Sequence, residues 1–408
     1  MANFNRVGPN QYQNEVESAY KYQSQHDVDS GRDSKTIFIA IACYRDEEIL
    51  PTVQSAILNA KNPDRLKFGI SLIYKENVDF GFWGNLLDTP NVQASIKNSA
   101  LENVGLGKQR AEANSFFNGE DYYFQIDAHM RFDLYWDDLL IHHLEGLKAL
   151  GEKKPVVTGY PRGYAAEKVP FAVGFYPYFN KVTKEVYFKE HRGHNNVPCL
   201  RIGLDPVRFF RATGFTRHGD RRFTEFETIS LSTAVSPAQL FADGSYLKDV
   251  PANPAIRFLE EEQYYTIRSW MMGYNFYVPR VTGVMHYYSQ DDAGNVITNR
   301  PSPAEEYPEV FSQQSYFDQA LGGKEVILEL ANIKKPVRTF AEYESFAGID
   351  YATRELKAPV DRMVSNEVTR QINFLTELYT YSTSDYISWF REHDYYWKAD
   401  IERNEAGN

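Results

Sequence analysis

Cysteine is scarce in this chain of 408 residues, which contains only Cys43 and Cys199. Two cysteines make neither a disulfide framework nor a thiolate zinc site. No apolar run approaches the roughly 18 residues that a membrane span requires. The polar first 23 residues also lack the pattern of a secretory signal peptide. We therefore expect a cytoplasmic protein with no membrane partner.

An excess of basic residues is absent too, because 44 Lys and Arg face 55 Asp and Glu for a net charge of −11. This balance argues against an overall basic nucleic-acid binder, although a local basic groove remains compatible with it. Apolar residues at 43% and charged residues at 24% are ordinary for a globular protein and exclude disorder for the bulk of the chain.

Strand and helix patterns alternate in the first third of the chain. The unbroken apolar run at 36–42 predicts a buried, parallel strand. Helical spacing over 46–60, a strand at 66–73, a helix at 105–118 and a strand at 122–126 follow. This alternation predicts an α/β fold with a doubly wound sheet flanked by helices.

The remainder of the chain has a less regular pattern. Short strands are predicted at 155–159, 276–279 and 281–286, and a helix is predicted at 260–270. Apolar and aromatic residues at helical spacing over 355–400 predict an appended C-terminal helical segment.

The segment at 122–131 carries the most informative chemistry, because an apolar strand runs directly into Asp127 and His129. At a strand end, residues i and i+2 point the same way, so both side chains can face one cation. Ligands in α/β sheets collect outside the carboxyl ends of strands. A carboxylate and an imidazole suit Mn²⁺ or Mg²⁺. The alternative is an Asp turn followed by a histidine whose hydrogen bonds are all made within the protein.

Three further features have both a functional and a structural interpretation. Gly105 to Arg110 opens a helix, where free N–H groups and a cation attract phosphate, but glycine there is also a common turn residue. Glu260 to Glu262 places three carboxylates in one helical turn, which a solvated helix start would also explain. His286 ends an apolar strand and is either a third metal ligand or a packed histidine.

Pieces in a fixed order between about 36 and 350 carry a resemblance: Ile39–Asp46, Asn59–Gly69, Gly105, Arg110, Gln125–Phe132, Glu261, Glu262, Arg268, Trp270, Gly273–Pro279, His286 and Tyr343–Asp350. The ordered set resembles the cytoplasmic polypeptide N-acetylglucosaminyltransferases, typified by enzymes that modify hydroxyproline on a ubiquitin-ligase adaptor. That family has a GT-A fold.

The resemblance implies a metal-dependent transferase that moves a GlcNAc-like sugar from a UDP-sugar to an acceptor hydroxyl, with retention of configuration. The implied nucleotide-sugar contacts are Ala42, Tyr44, Arg45, Gly105 and Arg110. The implied Mn²⁺ or Mg²⁺ ligands are Asp127 and His129, in an Asp-x-His form of the DxD motif, and the distant His286. The implied catalytic carboxylates, facing the sugar or the acceptor hydroxyl, are Glu261 and Glu262.

These expectations divide the chain into four parts. A polar arm covers 1–34, and the nucleotide-sugar-binding half of a GT-A domain covers 35–155. The acceptor and catalytic half covers 156–300, and a loop-rich and helical segment covers 301–408.

The acceptor and the class of activity stay open at this point. A hydroxyl on a protein or glycan is favoured, because the net charge opposes DNA binding. A hydroxymethylated DNA base is the alternative, with Arg217 to Arg222 and Lys334-Lys335 as the basic clusters it would use. A different class is a non-catalytic sugar- or protein-binding module on a GT-A fold, which loss of the metal ligands would favour.

Overall fold

A computed structural model describes the residues that build the fold. They are 34–76, 83–98, 105–132, 135–149, 151–163, 229–232, 234–258, 260–279, 282–287, 326–333, 335–347, 349–353 and 355–356, with short strands at 176–179, 186–189, 201–204 and 210–213. Outside the described residues lie 1–33 of the predicted polar arm at 1–34, the loop-rich stretch at 301–325 and most of the helical segment at 355–400.

Helices and strands alternate along the first half of the described chain. In order they are β1 Ile37–Tyr44, α1 Ile49–Asn59, β2 Leu66–Tyr74, β3 Val92–Asn98, α2 Leu106–Asn114, β4 Tyr122–Asp127, β5 Met130–Phe132, α3 Trp136–Ala149, β6 Pro155–Thr158 and β7 Arg162–Gly163. Short 3₁₀ turns lie at Pro63–Arg65 and Leu86–Asp88.

Strands are more frequent in the second half of the described chain. In chain order, the strands and helices of this half are β8 Tyr176–Phe179, β9 Val186–Lys189, β10 Arg201–Leu204, β11 Phe210–Thr213, β12 Ile229–Ser232, β13 Gln239–Asp243, α4 Tyr246–Asp249, α5 Glu261–Met271, β14 Asn275–Pro279, β15 Val284–His286, α6 Phe340–Ala347, β16 Ile349–Asp350 and β17 Glu355–Leu356. A 3₁₀ turn lies at Leu330–Asn332.

The main sheet of the described residues has eight strands in the order β12-β14-β6-β13-β4-β1-β2-β3. β1 pairs in parallel with β2 on one side and with β4 on the other. β13 lies antiparallel between β4 and β6. Because the chain leaves β1 towards β2 and returns on its other side as β4, the topological switch point lies between β1 and β4.

Helices cover both faces of this sheet. Alternate residues of β1 point to opposite faces, so Ile37, Ile39 and Ile41 pack with α1 and α3. Phe38 and Ala40 pack on the other face with α2, α5 and α6. The predicted fold class, an α/β doubly wound mixed sheet flanked by helices, is confirmed for the described residues.

Two features of the architecture bear on the predicted division of the chain. β6 and β14, from the predicted 156–300 half and its boundary, lie in the same sheet as β1 to β4. Phe340 and Tyr343 of α6 belong to the same core as Phe38. The described part of 326–351 therefore packs against the main sheet, and the packing of the remaining C-terminal residues stays a prediction.

Candidate active site

The carboxyl ends of β1 and β4 lie side by side at the switch point and form one edge of the candidate site. The parallel register places Ala42 of β1 beside Asp127, the last residue of β4. Tyr44 ends β1 and is half-buried. This edge of the sheet is the crevice where ligands of open α/β sheets bind.

Three residues separated by up to 159 positions converge at this edge. After Asp127 the chain bends and enters β5, which pairs antiparallel with β15 and places His286 opposite Met130. The Tyr287 amide donates to the His129 carbonyl at 3.0 Å. His129 Nε2 lies 3.0 Å from His286 Nε2, and His286 Nε2 lies 3.2 Å from Asp127 Oδ2. His129 Nε2 lies 4.0 Å from the same carboxylate oxygen.

This triad (Asp127, His129 and His286) has the donor set and spacing of a divalent cation site. Its ligand atoms all lie within 4.8 Å of one another. Neighbouring ligands on an octahedral ion with bonds of about 2.1 Å are separated by about 3 Å, which matches two of the three distances. The side chains are 26%, 17% and 10% exposed, so the site lies at a cleft rather than within the core. One carboxylate and two imidazoles are a donor set that divalent first-row metal ions bind.

Arg110 joins the triad to the start of α5. Its Nη2 donates to Asp127 Oδ1 at 2.8 Å, its Nε to Glu261 Oε1 at 2.9 Å and its Nη1 to the Ile126 carbonyl at 2.6 Å. The side chain is 1% exposed. Arg110 thus holds two carboxylates in place, and the contact with the nucleotide or sugar that the resemblance implies for it stays a prediction.

The two carboxylates that share Arg110 shift their pKa values in opposite directions. Burial raises the pKa of Glu261 to about 7, and the nearby Asp127 charge acts in the same direction. Burial also opposes ionisation of Asp127, but the hydrogen bond from His286 and the Arg110 charge outweigh it. They hold the pKa of Asp127 well below its usual range. Asp127 is therefore ionised at neutral pH.

The glutamates at the start of α5 occupy different environments. Glu261 is 7% exposed and Glu260 is 2% exposed, so a solvated helix start does not describe either of them. The Glu260 carboxylate accepts the Arg257 amide at 2.9 Å. Glu262 is half-buried and accepts a hydrogen bond from the Tyr160 hydroxyl at 2.5 Å. Tyr160 was not predicted from the sequence as a site residue.

The N-terminus of α2 is less available to phosphate than the sequence suggested. The Leu106 amide donates to the Arg257 carbonyl at 2.9 Å, and the Gly107 amide donates to the Ile256 carbonyl at 3.0 Å. Two of the N–H groups of the first turn are thus already hydrogen-bonded to backbone carbonyls of the protein. The predicted nucleotide-sugar contact of Gly105 loses this support and stays a prediction.

Part of the backbone in the turn after β1 is also hydrogen-bonded within the protein. Arg45 has a φ of 49° and is 5% exposed, and its amide donates to the Ile73 carbonyl at 2.9 Å. The roles of Ala42, Tyr44 and Arg45 in nucleotide binding stay predictions. Of the predicted basic clusters, Arg217 to Arg222 and Lys334 lie outside the described residues.

Asp46 is a site residue that sequence reasoning missed. Helical spacing over 46–60 placed it in the first turn of a helix, but α1 begins at Ile49 and has no acidic residue in its first turn. The Asp46 carboxylate instead lies 2.7 Å from His129 Nδ1. An acidic residue directly after a buried strand, at the carboxyl edge that also holds Asp127, was the available signal.

Among the described helices, none combines the length and apolar composition needed to cross a membrane. A search of curated proteins finds no matching sequence. Solved structures with some likeness include GalNAc-T7 with UDP, GalNAc and Mn²⁺, at 12% identity, covering 86% of this chain and 58% of that chain, with a TM-score of 0.47.

Two structures of S. aureus TarS are also similar at 12% identity and a TM-score of 0.39. One match covers 88% of this chain and 55% of that chain, and the other, TarS 1–349 in complex with UDP-GlcNAc, covers 90% and 92%. The chain thus spans less than two thirds of GalNAc-T7 and of the longer TarS chain. With TM-scores below 0.5, these likenesses do not bear on the assignment.

The family described as Glycosyltransferase (GlcNAc) matches residues 36–111 and 105–400, which together cover most of the chain and include every residue of the triad. The pieces noted in the sequence, between 39 and 350, lie within the matched residues. The chain belongs to the GlcNAc glycosyltransferase family.

Proposed function

We propose that this protein is a metal-dependent glycosyltransferase that moves a GlcNAc-like sugar from a UDP-sugar to an acceptor hydroxyl. The observation that carries the proposal is the convergence of Asp127, His129 and His286 at the switch point of a chain in this family. A non-catalytic module would have no need to keep three ligands that come from two distant parts of the chain.

Asp127, His129 and His286 are the residues that would hold Mn²⁺ or Mg²⁺. When bound, such a cation offsets the charge of the diphosphate and makes it a better leaving group. Asp127 is ionised before a cation binds, and Arg110 Nη2 donates a hydrogen bond to its Oδ1 at 2.8 Å. The other oxygen faces His286 and is the one directed at the cation site.

We place the reacting sugar beside the two glutamates, across Arg110 from Asp127. Glu261 accepts a hydrogen bond from Arg110, and the half-buried Glu262 carboxylate accepts one from the Tyr160 hydroxyl. Positive charge develops on the sugar ring during transfer, and a fixed carboxylate stabilises that charge. Because Glu262 is the more exposed of the two, we assign it the contact with sugar or acceptor and Glu261 a supporting position.

Retention of configuration is part of the proposal. The family resemblance supports it, and the pairing of Glu261 with Arg110 disfavours a covalent intermediate on that residue. In line with that resemblance, we assign attack by the acceptor hydroxyl on the same face as the leaving diphosphate.

A donor and acceptor screen tests this function. The purified chain is incubated with UDP-GlcNAc, UDP-GalNAc and UDP-glucose, with Mn²⁺ or with excess EDTA, and with hydroxylated peptides, glycans or hydroxymethylcytosine DNA. We expect metal-dependent transfer to a peptide or glycan, with the anomeric configuration of the product read by NMR. Asp127→Ala should abolish transfer, whereas Asp64→Ala, at an exposed residue of a 3₁₀ turn, should not.

The outcomes separate the alternatives. Full activity in EDTA would overturn the metal-dependent mechanism. Transfer to hydroxymethylcytosine DNA alone would replace the acceptor. Binding of a UDP-sugar without turnover on any acceptor or water would favour the non-catalytic module.

A further inference from the structure

Asp46 lies behind the metal site, on the side of His129 that faces away from the other two ligands. Its Oδ2 is 2.7 Å from His129 Nδ1, while His129 Nε2 faces His286. We propose that Asp46 is a positioning residue that fixes the tautomer and ring orientation of His129, so that Nε2 presents its lone pair to the cation. This inference rests on the metal site of the proposed function.

The orientation of the Asp46 carboxylate is itself determined by the backbone. Its Oδ1 accepts the Glu48 amide at 3.0 Å, which leaves Oδ2 directed at the imidazole. The residue is 5% exposed, so water competes little for either oxygen. A buried carboxylate with one oxygen fixed in this way favours a proton on the facing nitrogen, His129 Nδ1.

The loop that carries His129 is tied to the same stretch of chain. The Thr52 hydroxyl donates to the Ala128 carbonyl at 2.8 Å and accepts the Met130 amide at 2.9 Å. Arg131 pairs with Glu48. These contacts on both sides of His129 fix its backbone relative to Asp46. They therefore help to keep the Asp46 and His129 side chains within hydrogen-bond distance.

A neutral imidazole can bind a metal through only one nitrogen, and the partner of the other nitrogen decides which one is free. A carboxylate that accepts the Nδ1 proton selects the Nε2 lone pair and increases the basicity of the ligand. Loss of such partners typically weakens metal binding about 10- to 100-fold.

Asp46→Asn is the sharpest variant, because it preserves shape and reverses one hydrogen bond. The Asn oxygen must still accept the Glu48 amide, so its NH₂ group faces His129 Nδ1. That nitrogen then accepts, and the proton moves to Nε2, where it blocks the cation. Asp46→Ala removes the bias without imposing the wrong tautomer.

The test measures Mn²⁺ binding by EPR with the metal alone and with Mn²⁺ plus UDP. We expect affinity to fall in the order wild type, Asp46→Ala, Asp46→Asn, with the last weaker than wild type by about 10- to 100-fold. Glu47→Gln, at the exposed neighbour, is the matched control and should bind as wild type does. In metal-free wild type at pH 8, ¹⁵N NMR should show His129 protonated at Nδ1.

Each contrary result has a distinct meaning. If the wild type binds no Mn²⁺ with or without UDP, the proposed metal-dependent function fails. If it binds and Asp46→Asn binds within twofold of it, or if Asp46→Ala is the weaker of the two variants, Asp46 has no role in the tautomer. An Nε2-protonated His129 in the wild type overturns the inference even if a variant fails to fold.

Discussion

Arg110 is the residue on which both halves of the site depend, because it touches Asp127, Glu261 and the β4 backbone at once. We expect Arg110→Met to lower the free energy of unfolding by about 3 to 5 kcal/mol, since it leaves two carboxylates without their shared cation. Arg110→Lys should be intermediate, because an ammonium group cannot span the three acceptors of the guanidinium.

Urea unfolding in the presence of a chelator measures this effect apart from metal binding. Lys108→Met, at an exposed residue of the same helix, is the matched control. A loss below about 1 kcal/mol in Arg110→Met, comparable to an exposed ion pair, would contradict the central position assigned to Arg110.

Glu261 predicts a pH dependence of stability whose sign follows from its raised pKa. The folded protein keeps this proton up to a pH of about 7, whereas the unfolded chain releases it near the usual 4.5. The contribution of Glu261 to stability is therefore full below pH 4.5 and is lost as the pH rises through 7. Between these limits, the wild type should lose on the order of 3 kcal/mol relative to Glu261→Gln.

Unfolding free energies of both proteins between pH 4.5 and 8, in chelator, measure this difference. Glu47→Gln, which removes an exposed carboxylate, should follow the wild-type curve. A difference between Glu261→Gln and wild type that is constant with pH would show that Glu261 is ionised throughout.

At the residue scale, the sequence indicates the candidate metal ligands but not the residues that contact and orient them. Asp127 and His129 stand two residues apart after an apolar strand, a pattern that a single sequence displays. Asp46 and Tyr160 act through contacts across 83 and 102 residues, which no local pattern displays. Arg110 was found as a candidate, but its partners became visible only once α2 and α5 were placed side by side.

Among the elements, the buried strands β1, β2 and β4 were predicted, whereas the buried strand β13 and the half-buried edge strand β3 were not. β1 is a continuous apolar run and β2 and β4 are largely apolar, because helices cover both faces of the sheet. β3 was missed because it lies at the sheet edge, is half-buried along most of its length and reads as a polar segment, VQASIKN. α3 was also missed, and two of its buried residues, Asp137 and Asp138, are carboxylates.

The close approach of α2 to the loop before α5 predicts opposite outcomes for two glycines. A Cβ at Gly107 would lie 2.0 Å from the Asn253 carbonyl oxygen, whereas one at Gly105 would lie 3.6 Å from the nearest atom. Gly107→Ala should destabilise the protein by about 1 to 3 kcal/mol, although alanine in a helix otherwise stabilises by about 1 kcal/mol. Gly105→Ala should stay within about 0.5 kcal/mol of wild type.

Thermal and urea unfolding of both variants provide the comparison. Gly105 has an extended backbone with a φ of 170°, which any residue adopts, so its substitution isolates the packing effect. A Gly107→Ala protein as stable as Gly105→Ala would mean that α2 can move away from Asn253. UDP binding by Gly105→Ala then tests its predicted nucleotide contact separately.

For the whole molecule, the net charge of −11 predicts how acceptor binding responds to salt. We expect the affinity for a peptide or glycan acceptor to change less than about threefold between 50 and 200 mM salt. A protein that makes 6 to 10 phosphate contacts loses about 10³- to 10⁵-fold over this range. A steep loss, together with binding of hydroxymethylcytosine duplex, would contradict the favoured acceptor class.

The position of β13 in the middle of the sheet has a consequence for synthesis on the ribosome. β4 and β6 are made well before β13, which fills the space between them. At 5 to 20 residues per second, the nascent chain exposes both unpaired edges for on the order of ten seconds. Open edges of apolar strands are templates for pairing with other chains. Yield in a heterologous host should thus depend on translation speed and on chaperones that bind nascent strands, more than on the stability of the finished protein.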